Sequence, residues 1–591
     1  MAANVIETDV LVVGGGGAGF RAAIGVREKG AKALLLSKGP LARCGATPMA
    51  GADFTLDGKS LRELGFFGET RDSKEKFFND MVHQGCYLNN QKLIEQYIFN
   101  AQDRLRELIE WGIPITLSEE RAIITTGLAI MDALLRKARA TGVDMLEDTM
   151  LLDLVTEGNR VVGGLGIDIN RGEFIHFKTK AVVMATGGWH KAFWPNTGMR
   201  DLSGEGIAIA HRAGADIGNM EFITFACNIL YSPPIWRGSL ATYILGLLCG
   251  GELTNSQGEA FLNKYDPYTV LKGTNMEWNK SFVSFASMKE VKAGKGSPNG
   301  GVYYGRGQVP WEAFDRMAQM VFPNWKYKAM DLTELGQMLK NGQSVEVGPA
   351  VEYFDGGIIV NEQFETDVQG LYAAGECTLG PFGANRVASA ITEMLVHGAA
   401  AGQQAAQYAS DRKVPEPYPE TLKILEDKAN LPLLRKNGVK TAQIRRQIQE
   451  MSQKCLGPIR TQEELSSFLA FLEAVKTDEL TRLATTSKSR LYNKEWIDAL
   501  ELENIIHLLE ASTRSALFRT ESRGVHYRED FPQTDNDRWL QESVVKLKDG
   551  TISITKRPIT TTTFTPPPGV RPYLDMIKKM MEAHSDTGGH H

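Results

Sequence analysis

The residues best suited to chemistry fall within the first twenty positions. Gly14-Gly15-Gly16-Gly17-Ala18-Gly19 satisfies the pattern G-x-G-x-x-G. It follows the apolar run Asp9-Val10-Leu11-Val12-Val13 and precedes a helical pattern from Phe20 to Lys29. In that setting Gly14 permits a tight turn, Gly16 lets backbone N–H groups reach a pyrophosphate, and Gly19 allows close helix–strand packing. The helix N-terminus adds a field that favours negative charge. A plain NAD site would also place a carboxylate at the end of the second strand, Ala33-Leu34-Leu35-Leu36, to hold ribose hydroxyls. Ser37-Lys38 stands there instead, which argues against the simplest dinucleotide site.

The remaining chemistry-bearing residues exclude several classes. Six cysteines (Cys44, Cys86, Cys227, Cys249, Cys377, Cys455) are scattered with no CxxC pair, which fits neither a disulfide framework nor a metal site. A reducing cytoplasm is the expected compartment. A formal net charge of -5 over 591 residues gives no support for nucleic-acid binding. A strand begins within ten residues of the start, so no signal peptide or twin-arginine leader is expected. The strongest apolar run, Tyr243 to Cys249, is far too short to span a bilayer, so any membrane association would come through a partner protein.

Further along the chain, two more strand–turns repeat the first. One is Ala181-Val182-Val183-Met184-Ala185-Thr186-Gly187-Gly188. The other is Gly370-Leu371-Tyr372-Ala373-Ala374-Gly375-Glu376, which leads through glycines into a helix from about Ala388 to Tyr408. Their spread predicts one α/β, Rossmann-like nucleotide-binding domain interrupted by an insertion, with parts at 1–234 and 346–412. Residues 235–345 lack βαβ rhythm and are expected to form an α+β capping domain. Helical spacing of apolar residues predicts a helical domain over 413–540. Residues 541–591 are expected to form a strand, Thr551-Ile552-Ser553-Ile554, and an extended tail opened by Pro566-Pro567-Pro568 that could run over a partner.

Taken together, these strand–turns make the chain resemble the flavoprotein subunits of fumarate reductase and succinate dehydrogenase. Aspartate oxidase and the α subunit of adenylylsulfate reductase belong to the same wider family. The second strand of that family commonly ends in Ser-Lys, as Ser37-Lys38 does here. Ala185-Thr186-Gly187-Gly188 looks like its second FAD contact, and Gly375-Glu376 with Gly383-Ala384-Asn385-Arg386 like its third, where Glu376 would bind the ribose. Asn504, Arg519 to Arg528 and Asp535 to Trp539 are similar to the signature of the helical domain, in which His526 would play a supporting part. The resemblance covers about residues 5 to 540. It implies FAD as cofactor, held by Gly14, Gly16, Gly17, Ala18, Gly19, Ser37, Lys38, Thr47, Ala185, Thr186, Gly187, Gly375, Glu376, Arg386 and Ser389. The family often tethers FAD to a histidine where Ala46 stands here, so non-covalent binding is expected.

The substrate end departs from the family. The histidine expected after Met220-Glu221-Phe222 is absent from Ile223-Thr224-Phe225-Ala226-Cys227-Asn228. Cys249, ahead of Gly250-Gly251, replaces a glutamate, and Leu247 replaces an arginine. Lys280 falls where the proton-donating arginine should lie. Glu352, ahead of Gly356-Gly357, replaces a second histidine, and only Arg386 persists. A carboxylate facing a dicarboxylate is repulsive, so a substrate other than fumarate or succinate is expected. Gly258-Glu259-Ala260-Phe261 still matches the cap pattern. The candidate catalytic residues are Arg386, Lys280, Glu352 and Cys249. Trp236, Trp278 and Tyr353 suit either a bulky substrate or the core.

Three functions remain open: an FAD oxidoreductase acting on another small molecule, a fumarate reductase or succinate dehydrogenase with a divergent site, and an electron-relay flavin subunit. Family members with this helical domain usually dock an iron–sulfur subunit. The chain has no cluster ligands of its own, so the resemblance implies such a partner as a separate chain.

Overall fold

The computed structural model describes the backbone of residues 4–50, 53–239, 252–265, 280–304, 331, 333–386, 388–416 and 418–585. The leading unit is β1 (Asn4–Val13), α1 (Gly17–Glu28) and β2 (Ala33–Leu36). β1 and β2 lie parallel, with Val10 beside Ala33 and Val13 beside Leu36. Their apolar residues are buried on both faces, as a parallel sheet covered by helices requires. The sheet continues with β3 (Asp144–Leu146), β4 (Thr149–Glu157), β5 (Arg160–Asp168), β6 (Phe174–Met184) and β7 (Leu371–Ala373).

β6 is the strand that joins distant parts of the chain. Val10 to Val13 of β1 pair with Ala181 to Met184 on one side, and β7 pairs with Val182 to Met184 on the other. Earlier in β6, Phe174 to Lys178 pair antiparallel with β5. The three predicted strand–turns therefore end side by side, although they are spread over more than 350 residues. Behind them, α1 packs on α2 (Ala390–Ser410) with almost no side chain between the helices. A Cβ on Gly402 would lie 2.0 Å from the Ala22 carbonyl oxygen, and one on Gly398 would lie 2.7 Å from that of Ala18.

A second sheet is antiparallel and contains Ile223–Leu230, Val345–Phe354, Val302–Tyr304 and Leu253–Thr254, in that order. Its two long strands lie mostly outside the 235–345 stretch expected for the cap. They are apolar like the strands of the first sheet, and their pairing is not encoded locally.

The chain after 413 is helical as predicted, with Pro419–Leu434, Thr441–Cys455, Gln462–Ala474 and α3 (Lys494–Phe518). Asn493 and Thr461 cap two of these helices through their side chains. The C-terminal segment differs from the expected arm. Thr551 to Ile554 do form a strand, but within a hairpin of Gln541–Lys548 and Thr551–Pro558 that joins Ile217–Gly218 in a small sheet. Beyond the prolines the chain turns back: Val570–Pro572 pairs with Gln533–Asp535, and the Tyr573 hydroxyl donates to the Gly524 carbonyl oxygen at 2.7 Å. Among the described residues, this part of the tail packs on its own chain.

Buried charge fixes these returns. Glu521 accepts from Arg519 at 3.0 Å, from Arg523 at 2.8 and 2.9 Å, and from the Asp535 N–H at 2.8 Å. Arg519 also reaches Glu221 at 2.6 Å and lies 5.0 Å from the ring centroids of both Phe222 and Trp539. Burial drives the His526 imidazole well below its usual range, so it is neutral and accepts from Arg460 at 2.8 Å. Breaking a buried set of this kind strands its remaining charges. We expect Glu521→Gln to cost about 3–5 kcal/mol, read from chemical denaturation, and a loss under about 1 kcal/mol would contradict this role.

Candidate functional site

The glycine turn is closed on nearly every side. Gly14 has a φ of +128°, and a Cβ on it would lie 2.1 Å from the Ala185 carbonyl oxygen, so the ends of β1 and β6 touch through backbone. A Cβ on Gly19 would lie 1.8 Å from the Gly14 oxygen. Gly16 is the exception. A Cβ there would meet only Thr47 Oγ1, at 3.7 Å, and one on Gly45 would meet only Gly16 Cα, at 3.8 Å. The turn thus opens at the N-terminus of α1, where unsatisfied backbone N–H groups favour an anion. Thr47 braces this cradle by accepting from the Gly17 N–H at 3.2 Å.

Polar groups from the other two strand–turns converge here. Thr186 Oγ1 and Glu376 Oε1 are buried without a hydrogen-bond partner in the protein. A Cβ on Gly375 would lie 2.9 Å from that of Ala18, so the third strand–turn presses on the start of α1. Gly187 completes the second turn at a φ of +70°. An open cradle at a helix N-terminus, with unpartnered hydroxyl and carboxyl oxygens beside it, fits a dinucleotide with its pyrophosphate and ribose groups.

Three predicted contacts are engaged with the chain itself. Ser37 Oγ donates to the Gly39 carbonyl oxygen at 2.7 Å and lies 3.1 Å from Cys44 Sγ. Ser389 caps α2, accepting from the Ile391 N–H at 3.1 Å. The Lys38 ammonium turns into a buried cluster, 2.6 Å from Glu501, 3.1 Å from Glu205 and 2.5 Å from Ser203 Oγ. Burial alone would lower Lys38, but the two carboxylates outweigh it and hold it above its usual range. Neither Glu205 nor Glu501 was marked by any motif. Ala46 is the N-cap of the short turn Thr47–Met49, and burial pushes the neighbouring Cys44 thiol up, away from its reactive thiolate.

The surroundings of Arg386 are rich in carboxyl groups. Arg386 lies 3.3 Å from Glu352, and its guanidinium carbon is 5.5 Å from the centroid of the Tyr353 ring. The Tyr353 hydroxyl donates to Glu393 Oε2 at 2.7 Å. Asp355 accepts from Thr224 Oγ1 at 2.7 Å, while its Oδ1 and Glu393 Oε1 are buried without a hydrogen-bond partner, the latter 3.9 Å from His397 Nδ1. Burial pushes Asp355, Glu376 and Glu393 each up to about 8, and Arg386 pulls all three down. His190 donates from Nε2 to the Glu352 carbonyl oxygen at 2.8 Å, and burial lowers it to about 4, so it is neutral.

Of the four predicted catalytic residues, the structure brings Arg386 and Glu352 together. Cys249 lies outside the described residues, as does Trp278. Lys280 begins the helix Lys280–Glu290, but its side chain also lies outside them. Trp236 is buried in the cap core. The sequence reading missed Asp355 and Glu393. A glutamate in the otherwise apolar start of α2 was the available signal for Glu393. Among the described residues, no group of His, Cys, Asp and Glu could hold a metal ion, and no helix is long and apolar enough to cross a membrane.

Comparison with known proteins agrees with this geometry. The FAD binding domain model matches residues 9–123 and 116–391, and the fumarate reductase flavoprotein C-terminal model matches residues 445–573. The chain is 30% identical over 569 residues to a fumarate reductase (CoM/CoB) subunit of Methanothermobacter marburgensis, covering 93% of this chain and 98% of that one. It is 28% identical over 606 residues to the fumarate reductase flavoprotein subunit of Mycobacterium tuberculosis, covering 96% and 99%. Among solved structures, Mycobacterium smegmatis Sdh1 in complex with UQ1 superposes with a TM-score of 0.83 at 27% identity, covering 95% of this chain and 96% of that one. The architecture is accordingly a Rossmann-like FAD-binding domain with a capping domain and a C-terminal helical domain. The chain belongs to the fumarate reductase/succinate dehydrogenase flavoprotein family and is an FAD-dependent oxidoreductase subunit.

Proposed function

We propose that this chain holds FAD non-covalently, acts on an organic substrate other than fumarate or succinate, and hands electrons to a separate iron–sulfur protein. The observation that carries the substrate reading is the pairing of Arg386 with Glu352. Arg386 is the residue of the family's substrate set that persists in this sequence, and its charge is answered within the protein. Asp355, Glu376 and Glu393 also feel its charge, and burial holds all three towards the neutral form. A dicarboxylate needs opposing cations, and here the retained arginine already faces the Glu352 carboxylate.

Bound FAD supplies hydride and electron transfer. The chain's own residues bind and orient. The Gly14 to Gly19 turn and the α1 N-terminus would receive the pyrophosphate, Thr47 braces the turn, and Glu376 would receive the ribose. Arg386 fixes the near end of the substrate, and Lys280 delivers a proton from the cap. Non-covalent binding is supported by Ala46 in place of the tethering histidine and by the protonated, buried Cys44. The iron–sulfur partner is supported by the helical domain that the chain shares with its relatives. Such a partner would also carry any membrane attachment of an otherwise cytoplasmic protein.

The name of the Methanothermobacter relative favours fumarate as the competing substrate. Adding fumarate to the reduced protein, or succinate to the oxidised protein, should leave the flavin absorbance unchanged. Rapid bleaching or recovery of the flavin band would restore the fumarate reading. Gently purified from its native source, the protein should bring down an iron–sulfur protein, and acid precipitation should release all flavin into solution. A lone active chain would refute the partner, and flavin retained in the pellet would refute non-covalent binding.

The buried carboxyls also set a pH dependence. Asp355, Glu376 and Glu393 have folded-state values raised to about 8, so their stabilising contribution is complete at low pH and is lost as pH rises towards 8. The buried histidines, such as His190 and His211, are depressed from 6.5 and act the other way, but their contribution is complete above pH 6.5. Stability of the FAD-free protein should therefore fall between pH 6.5 and 8, with a shallower fall in Glu393→Gln. A midpoint of thermal unfolding that rises through this window would contradict the assignment.

A further inference from the structure

The strand Val345–Phe354 carries a bulge beside Arg386. Thr224 pairs with Tyr353 and the next residue, Phe225, pairs with Val351, so Glu352 is the extra residue. Neighbouring side chains of a regular strand point to opposite faces, and a bulge breaks that alternation and re-aims them. Here Glu352 and its neighbour Tyr353 both reach the same guanidinium, one by charge at 3.3 Å and one beneath it by its ring at 5.5 Å.

Tyr353 is itself held. Its hydroxyl is tied to Glu393 on α2, and the edge of its ring packs against Phe382, with centroids 5.8 Å apart. The Glu352 backbone is fixed by the His190 hydrogen bond to its carbonyl oxygen. Both charged partners are largely buried, with side-chain exposures of 13% for Arg386 and 16% for Glu352, so their attraction is screened little by water. Glu352 therefore holds its position by more than chance contact of two surface groups.

Resting on the substrate reading above, we propose that Glu352 is a specificity-determining residue: its bulge supplies an internal counter-ion to Arg386, so the site takes a substrate that is uncharged where it meets this arginine. Tyr353 and Glu393 are positioning residues that keep the guanidinium in register with the bulge. A carboxylate ligand must displace Glu352 from Arg386 and cost that buried carboxylate its ion pair, which is a barrier against the wrong ligand built into the strand. A neutral group meets no such barrier.

The test is malonate binding to the full-length, FAD-loaded protein, read from the perturbation of flavin absorbance. Wild type should bind malonate weakly, and Glu352→Gln should bind it at least about tenfold more tightly. The gain should vanish in the double variant Glu352→Gln/Arg386→Met, because the Arg386 guanidinium is what malonate reads. If the Gln variant fails to retain flavin, Glu352→Ser removes the same charge and is read in the same way. Unchanged weak binding in a folded, flavin-loaded Glu352 variant would overturn the inference and leave the proposed function standing. Wild type that binds malonate as tightly as the variant, and also turns over fumarate, would remove both.

Discussion

Backbone touching backbone at the glycine turn is the constraint on which the structure depends. The Gly14 backbone and the Ala185 carbonyl approach so closely that a single added carbon would lie 2.1 Å from the oxygen. The same closeness recurs where α1 meets α2 at Gly398 and Gly402. Segments separated by hundreds of residues are thus locked at one point by shape. A packed arrangement of this kind has little freedom to drift, because even a methyl group has nowhere to go. The cofactor cradle is a consequence of that packing.

The substrate end is held together differently. Arg386, Glu352, Tyr353 and Glu393 are related by charge and hydrogen bonding around a bulged strand, through side chains and not through backbone contact. The scaffold can therefore keep its cofactor while its substrate preference is rewritten, which is how one fold comes to host several chemistries. The acids gathered there are tolerable because burial keeps three of them protonated in the neutral range, with Arg386 opposing that shift. The start of the C-terminal segment uses the opposite solution: Arg519 and Arg523 enclose Glu521 as an ion cluster, and Glu521 accepts from the Asp535 N–H.

What was legible in the sequence follows the same division. Each of the three turns is a strand followed by glycines, a local pattern, so the Gly14, Thr186 and Glu376 turns and their convergence could all be anticipated. The engagement of Lys38 was not legible, because its ammonium answers to Glu205 and Glu501, far away in sequence. The pairings of the tail and of the second sheet were not legible for a related reason. Val570–Pro572 pairs with Gln533–Asp535, and Ile223–Leu230 pairs with Val345–Phe354, through contacts that no short segment encodes. The bulge at Glu352 belongs to the same class, since register is a property of two strands.

The most direct test of this division is a crystal structure of the FAD-loaded protein grown with malonate. Flavin seated on the Gly14 to Gly19 turn, with Arg386 still paired to Glu352 and no malonate beside it, is the predicted result. Malonate bridged by Arg386, with Glu352 turned away, would contradict it.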